Sequence, residues 1–183
     1  MDKHYISAQD LLVDSFSLAA QIYESGFRPR LIIGIWRGGT PVGIAVQEYY
    51  EYRGCSTDHI AIRTSSYTGI GQQSKEIKVF GLEYIFEYTG VDDPLLIVDD
   101  VFDSGRSVEE VLNQLEQQSN RKVTETVRIA CPWYKPKHNR TRFKPDHYIH
   151  ETDMWLVFPH ELVGLTEDEI RNGKKEISKI LGL

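Results

Sequence analysis

The sequence predicts an α/β fold: a mostly parallel central sheet flanked by helices. Two continuous apolar runs, Leu31-Ile32-Ile33-Gly34-Ile35 and Leu95-Leu96-Ile97-Val98, read as strands buried on both faces, as in a parallel sheet. Each is followed by a glycine-bearing polar turn and then by apolar residues at helical spacing. That alternation of strand, turn and helix is the pattern of an α/β domain. It also places the polar turns at strand carboxyl ends, where ligands bind in such sheets.

The elements follow in order. Ser7 is placed to cap a first helix carrying Leu11, Leu12, Phe16, Ala19, Ile22 and Tyr23, with Gly26 as its stop. The strand at 31–35 gives way to Trp36-Arg37-Gly38-Gly39-Thr40. Pro41 suits the first position of the next helix, which carries Val42, Ile44, Ala45, Val46 and Tyr49. Residues 59–64 read as a strand. Residues 65–78 lose hydrophobicity and contain Gly69 and Gly71, which predicts a long polar loop. Residues 79–88 alternate weakly and predict a hairpin arm. Residues 99–107 form a polar turn after the strand at 95–98, and Val108, Val111, Leu112 and Leu115 make a helical stripe. Residues 124–130 predict a third strand, with short strands at 148–149 and 155–158. Thr166, with Glu169 three residues on, has the pattern of a capping box before a last helix. There is no internal repeat, and residues 1–183 read as one domain.

Composition excludes several classes. The 183 residues are 40% hydrophobic, enough for a core and too much for a disordered chain. No apolar run approaches the roughly 18–20 residues of a membrane span, and the first ten residues lack the apolar centre of a signal peptide. Cys55 and Cys131 have no metal spacing, so a reduced, cytoplasmic protein is expected, without a disulfide. The net charge of −6 argues against broad nucleic-acid or anionic-membrane binding, although a local site can still take a small anion. There is no GxxxxGK[ST] phosphate loop, no GxGxxG fingerprint, and no evident histidine partner for Ser104 or Ser107. His147 and His150, three apart on a strand, point to opposite faces, so no dedicated transition-metal site is expected.

The chemistry concentrates in residues 95–107, where a buried strand delivers Asp99 and Asp100 to its exit. Two adjacent carboxylates repel each other unless cations or hydroxyl donors engage them. Asp103-Ser104-Gly105-Arg106-Ser107 then opens a helix. Its exposed N–H groups, two hydroxyls and positive helix end make a cup for a phosphate. Carboxylates for sugar hydroxyls or Mg²⁺ beside a cup for one phosphate describe a pocket for a phosphorylated sugar.

This string resembles the 5-phosphoribosyl-1-pyrophosphate (PRPP) signature of type I phosphoribosyltransferases: apolar strand, two acids, two apolar residues, then Asp-Ser/Thr-Gly-x-Ser/Thr. The resemblance implies a small hood drawn from the chain ends beside the sheet, and it implies that Asp99 and Asp100 face the ribose hydroxyls, directly or through metal. Residues Asp103, Ser104, Gly105, Arg106 and Ser107 would hold the 5-phosphate, and Asp103 would be the general base that takes the N7 proton of a purine. Arg37-Gly38-Gly39 occupies the place of the pyrophosphate loop and is similar to its form in bacterial xanthine-guanine enzymes. Ser65-Ser66-Tyr67 resembles the head of the mobile lid that closes over PRPP in purine members. Lys135 is the choice for the lysine that contacts purine O6, with Lys137 close by and Cys131 favoured by simple strand counting. In the segment 151–161, Trp155 would stack on the base, the Leu156 backbone would bond its edge, and Asp153 would lie near the purine or its metal.

The implied activity is a Mg²⁺-dependent purine phosphoribosyltransferase of purine salvage. It converts PRPP and hypoxanthine, guanine or xanthine to the nucleoside monophosphate and pyrophosphate. Small-molecule partners only, and a homodimer, are expected. Two other readings stay open: a PRPP- or nucleotide-binding regulator on the same fold, and a transferase for another base.

Overall fold

The computed structural model describes residues 3–67 and 76–183. In chain order the elements are β1 (Lys3–Tyr5), α1 (Ala8–Glu24), β2 (Leu31–Trp36), α2 (Gly39–Tyr52), β3 (Asp58–Tyr67), β4 (Glu76–Phe80), α3 (Glu83–Tyr88), β5 (Leu95–Val98), β6 (Val101–Phe102), α4 (Arg106–Ser119), α5 (Val123–Thr126), β7 (Val127–Tyr134), β8 (His147–Glu151), β9 (Trp155–Val157), α6 (Glu167–Gly173) and α7 (Lys175–Leu181). The chain divides into two compact units. The larger is residues 12–153; the smaller joins residues 1–11 to 154–183, as expected of a small part drawn from the chain ends.

The larger unit carries the α/β sheet, ordered β4-β3-β2-β5-β7-β6, with β8 also paired to β7. All pairs are parallel except β3–β4. The two apolar runs are its centre: every residue of β5 and all of β2 but Trp36 are buried. Side chains alternate between faces. Leu31, Ile33, Ile35, Leu95, Ile97, Val127 and Ile129 pack with Val108, Val111, Leu112 and Leu115 of α4 and with Ile85 of α3 in one core. On the other face α2 lies close, so that a Cβ at Gly43 would be 3.9 Å from the Cα of Gly34. Tyr50 of α2 meets Tyr23 of α1 edge-on at 5.5 Å and donates its hydroxyl proton to the Phe27 carbonyl. In the smaller unit β1 and β9 form a parallel pair. Thr166 and Glu169 make the expected capping box of α6. Among the described residues no helix is long and apolar enough to cross a membrane.

Several boundaries differ from the sequence reading. Pro41 is the third residue of α2, which starts two positions earlier on the glycines. The polar residues 65–67 and 76–78 extend β3 and the edge strand β4, because backbone pairing at a sheet edge does not require apolar side chains. The expected hairpin arm at 79–88 is the end of β4 and then α3. Gly81, at φ +94°, turns the chain there, and Ile85 alone of α3 is fully buried. Residues 124–126 belong to the short helix α5, and the third strand runs from Val127 through Pro132 to Tyr134. Pro132 is tolerated because it sits where one edge of β7 changes partner, from β5 at 127–130 to β6 at 133–134. The last helix is two, broken at Lys174.

Candidate active site

The turns after β2 and β5 meet at the carboxyl end of the sheet. β2 ends at Trp36, whose peptide bond to Arg37 is cis, and Gly38 and Gly39 then lead into α2. Only glycine fits at these two positions. A Cβ on Gly38 would run into the carboxylate of Asp100, and one on Gly39 into the carbonyl of Val98, 3.0 Å from the Cα of Asp99. The expected pyrophosphate loop and the acid pair therefore share one tight junction. Arg37 projects as an exposed side chain beside it.

The acid pair leaves β5 with its backbone tied to β7: Asp99 N–H donates to the Ala130 carbonyl at 3.2 Å. Oδ1 of Asp99 accepts the N–H of Asp100 at 2.9 Å, and the Gly39 N–H also serves that carboxylate. Loss of solvent around the Asp99 carboxyl, and then the charge of Asp100, push it well above the usual carboxylate range. Asp100 is itself buried. The two acids thus form a strained oxygen-donor pair that a cation or hydroxyl donors would relieve. Among the described residues no group of three or more His, Cys, Asp or Glu gathers to cage a metal ion. Two carboxylates suit Mg²⁺, which commonly completes its shell with waters and substrate phosphate oxygens.

Past the acid pair, β6 runs parallel to β7 in the register Val101↔Trp133 and Phe102↔Tyr134. Three successive bonds fasten the strand and the expected phosphate cup to the end of β7 and the turn that follows it: Trp133 N–H to Asp100 O at 3.3 Å, Lys135 N–H to Phe102 O at 2.9 Å, and Arg140 N–H to Ser104 O at 3.0 Å. Gly105 turns the chain into α4 at φ +76°, with the Phe102 ring 2.6 Å and Thr141 Oγ1 2.8 Å from where a Cβ would stand. The first-turn amides of α4, at Arg106 and Ser107, have no intrahelical carbonyl to bond. Their helix carries no side-chain cap, which leaves that end open to an anion.

The register of β6 on β7 decides which lysine meets Asp103. Lys135 is 7% exposed, and its Nζ is 3.2 Å from Asp103 Oδ2. Lys137 points elsewhere: its side chain is 80% exposed and pairs with Asp153 at 2.5 Å, which holds the Asp153 carboxyl below its usual range. Cys131 is buried in β7, and burial pushes its thiol up. Asp153, expected near the purine or its metal, is paired with Lys137. A residue that the sequence did not single out joins the cluster: His138 Nδ1 lies 2.9 Å from Asp103 Oδ1. Its signal was the turn Lys135-Pro136-Lys137-His138, closed by His138 N–H on the Lys135 carbonyl at 3.1 Å. Such a turn sets its first and fourth residues near each other.

The remaining expected residues fall as follows. Ser65 pairs with Lys78 across the β3–β4 edge. The side chains of Ser66 and Tyr67, and the rest of the expected lid at 68–75, lie outside the described residues. Trp155 begins β9 with its indole exposed and Lys3 Nζ 6.0 Å from the ring centroid, while Leu156 is buried and paired with His4 of β1. His150, set aside as a metal ligand, bonds Asp14 at 3.0 Å and lies over Trp133.

Comparison with known proteins agrees with this arrangement. A family model described as phosphoribosyl transferase domain matches residues 7–163. The chain is 28% identical over 150 residues to a hypoxanthine-guanine phosphoribosyltransferase of Lactococcus lactis, covering 80% of this chain and 75% of that one. It is 27% identical to a purine phosphoribosyltransferase of Pyrococcus horikoshii of known crystal structure, with a TM-score of 0.72, covering 91% of this chain and 99% of that one. A xanthine-guanine-hypoxanthine phosphoribosyltransferase of Helicobacter pylori shares the fold, at 20% identity and a TM-score of 0.68 over 95% of this chain and 99% of that one. With the signature at 95–107 lying inside the matched span, the chain belongs to the phosphoribosyl transferase domain family.

Proposed function

We propose that this protein transfers the 5-phosphoribosyl group of PRPP to a 6-oxopurine and releases pyrophosphate. The observation that carries the reading is the Asp103–Lys135 pair, a carboxylate 3.2 Å from a buried ammonium. A 6-oxopurine presents N7 and O6 side by side on one edge. In the tautomer protonated at N7, that edge offers one proton and one acceptor, the complement of a carboxylate and an ammonium. Adenine presents an amino group in place of O6, which an ammonium cannot serve.

The roles follow from the placement. The open amides of α4 and the hydroxyls of Ser104 and Ser107 receive the 5-phosphate. Asp99 and Asp100 bind the ribose hydroxyls and set negative charge beside C1 as the bond to pyrophosphate loosens. Arg37 and the loop at Gly38 and Gly39 receive the pyrophosphate. Asp99 and Asp100 would hold Mg²⁺, which would supply charge neutralisation to the departing pyrophosphate. Asp103 takes the N7 proton as N9 bonds to C1. Lys135 turns to O6, and the half-exposed ring of Trp155 is the stacking partner assigned to the base.

Incubation with PRPP, Mg²⁺ and one base at a time tests this. Pyrophosphate is expected with hypoxanthine, guanine or xanthine, and none with adenine, uracil or orotate. Release with orotate or uracil alone would make it a pyrimidine enzyme. PRPP binding with no release for any base would make it a regulator.

A further inference from the structure

The Asp103 carboxylate has two different oxygens. Oδ2 faces Lys135 at 3.2 Å, the group assigned above to O6 of the base. Oδ1 faces the Nδ1 of His138 at 2.9 Å, and a carboxylate can only accept, so that contact requires the proton on Nδ1. The imidazole is held in place from its own turn. Its backbone N–H closes on Lys135 O, Arg140 N–H is fastened to Ser104 O, and Asn139 bonds Thr141 and Phe143. The opposite ring edge reaches solvent, the side chain being half exposed.

We infer that His138 is a positioning residue for the general base: its Nδ1–H holds Oδ1 of Asp103, so that Oδ2 alone is presented to the N7 proton. The inference rests on the transferase reading above. During the step the N7–H bond breaks, its electron pair stays in the purine ring, and the proton goes to Oδ2. N9 bonds to C1 as the C1–O bond breaks towards pyrophosphate, and His138 neither gains nor loses a proton. The tautomer matters because a neutral imidazole orients the carboxylate without weakening it as a base, whereas an imidazolium stabilises its charged form.

His138→Ala, His138→Asn and Asp103→Asn separate the possibilities, because the Asn amide places a donor where Nδ1 stood and does not titrate. In His138→Ala, kcat falls about 10–100-fold with KM for PRPP within about twofold. His138→Asn recovers most of that loss. Nitrogen-15 NMR of the wild-type ring shows the neutral form protonated at Nδ1, whether or not a base is turned over. Wild-type kcat in His138→Ala, no recovery in His138→Asn, or a neutral ring protonated at Nε2 would each overturn the inference. Full turnover in Asp103→Asn would instead remove the general-base reading beneath it. A loss in Asp103→Asn with His138→Ala unaffected would remove only the role of His138.

Discussion

Asp103 is half exposed and flanked by two donors, so its substitution tests chemistry rather than folding. Asp103→Asn is expected to lower kcat by about 10²–10⁴, the usual range for general-base help, with PRPP affinity little changed by calorimetry. Full turnover in that variant would sink the role. Lys135 is a buried cation whose partner is this carboxylate. Lys135→Met keeps the volume and removes the donor. It is expected to lower kcat/KM for the preferred oxopurine by about 10–100-fold and to narrow its advantage over adenine, measured as a ratio of kcat/KM values. An unaltered ratio would mean that O6 is read elsewhere. The motif itself was legible at this scale: the residues from Asp99 to Ser107 stand together because strand exit, turn and helix start are adjacent in the chain. Lys135 and His138 were harder to find, since a lysine or histidine in a polar loop carries no local mark of what it will face.

Among the elements, the junction of the β2–α2 turn with the end of β5 has the least room. Gly39→Ala puts a methyl into the Val98 carbonyl, part of the backbone of a fully buried strand. The loop must move instead, and overpacking of this kind costs about 1–3 kcal/mol. A lowered denaturant midpoint together with weakened pyrophosphate binding is expected; unchanged pyrophosphate affinity would separate this loop from the site. The differences between expected and observed elements have one physical source. β2 and β5 are continuous apolar runs buried on both faces, and periodicity finds such strands readily. The polar ends of β3 and β4 pair at the sheet edge, and α3 buries only Ile85 in full, so neither writes a hydrophobic pattern into the chain.

At the scale of the whole molecule, the acid pair trades stability for ligand binding. The Asp99 carboxyl is raised by loss of solvent and by Asp100. A group whose folded-state pKa exceeds its unfolded value, about 3.9 for Asp, favours folding at pH values below that and loses the contribution as pH climbs through the raised value. The ligand-free protein is therefore expected to lose stability from this site as pH rises from about 4 towards neutrality. Asp99→Asn should flatten that dependence and raise the neutral-pH Tm by about 2–4 °C for each kcal/mol relieved, while weakening PRPP binding. Parallel pH series of thermal melts for the two proteins check this; identical slopes would show that the Asp99 carboxyl is not the destabilised group.

By itself the sequence determined the α/β class, the two central strands, and the linkage of an acid pair to a phosphate cup, all consequences of patterns that close within about a dozen residues. Only the tertiary structure decided that Lys135 and not Lys137 or Cys131 meets Asp103, and that His138 holds its other oxygen. Those contacts span 32 and 35 residues. They exist because β6 pairs with the far end of β7 in one register, Phe102 opposite Tyr134, and a register between distant strands is set by packing rather than by local composition.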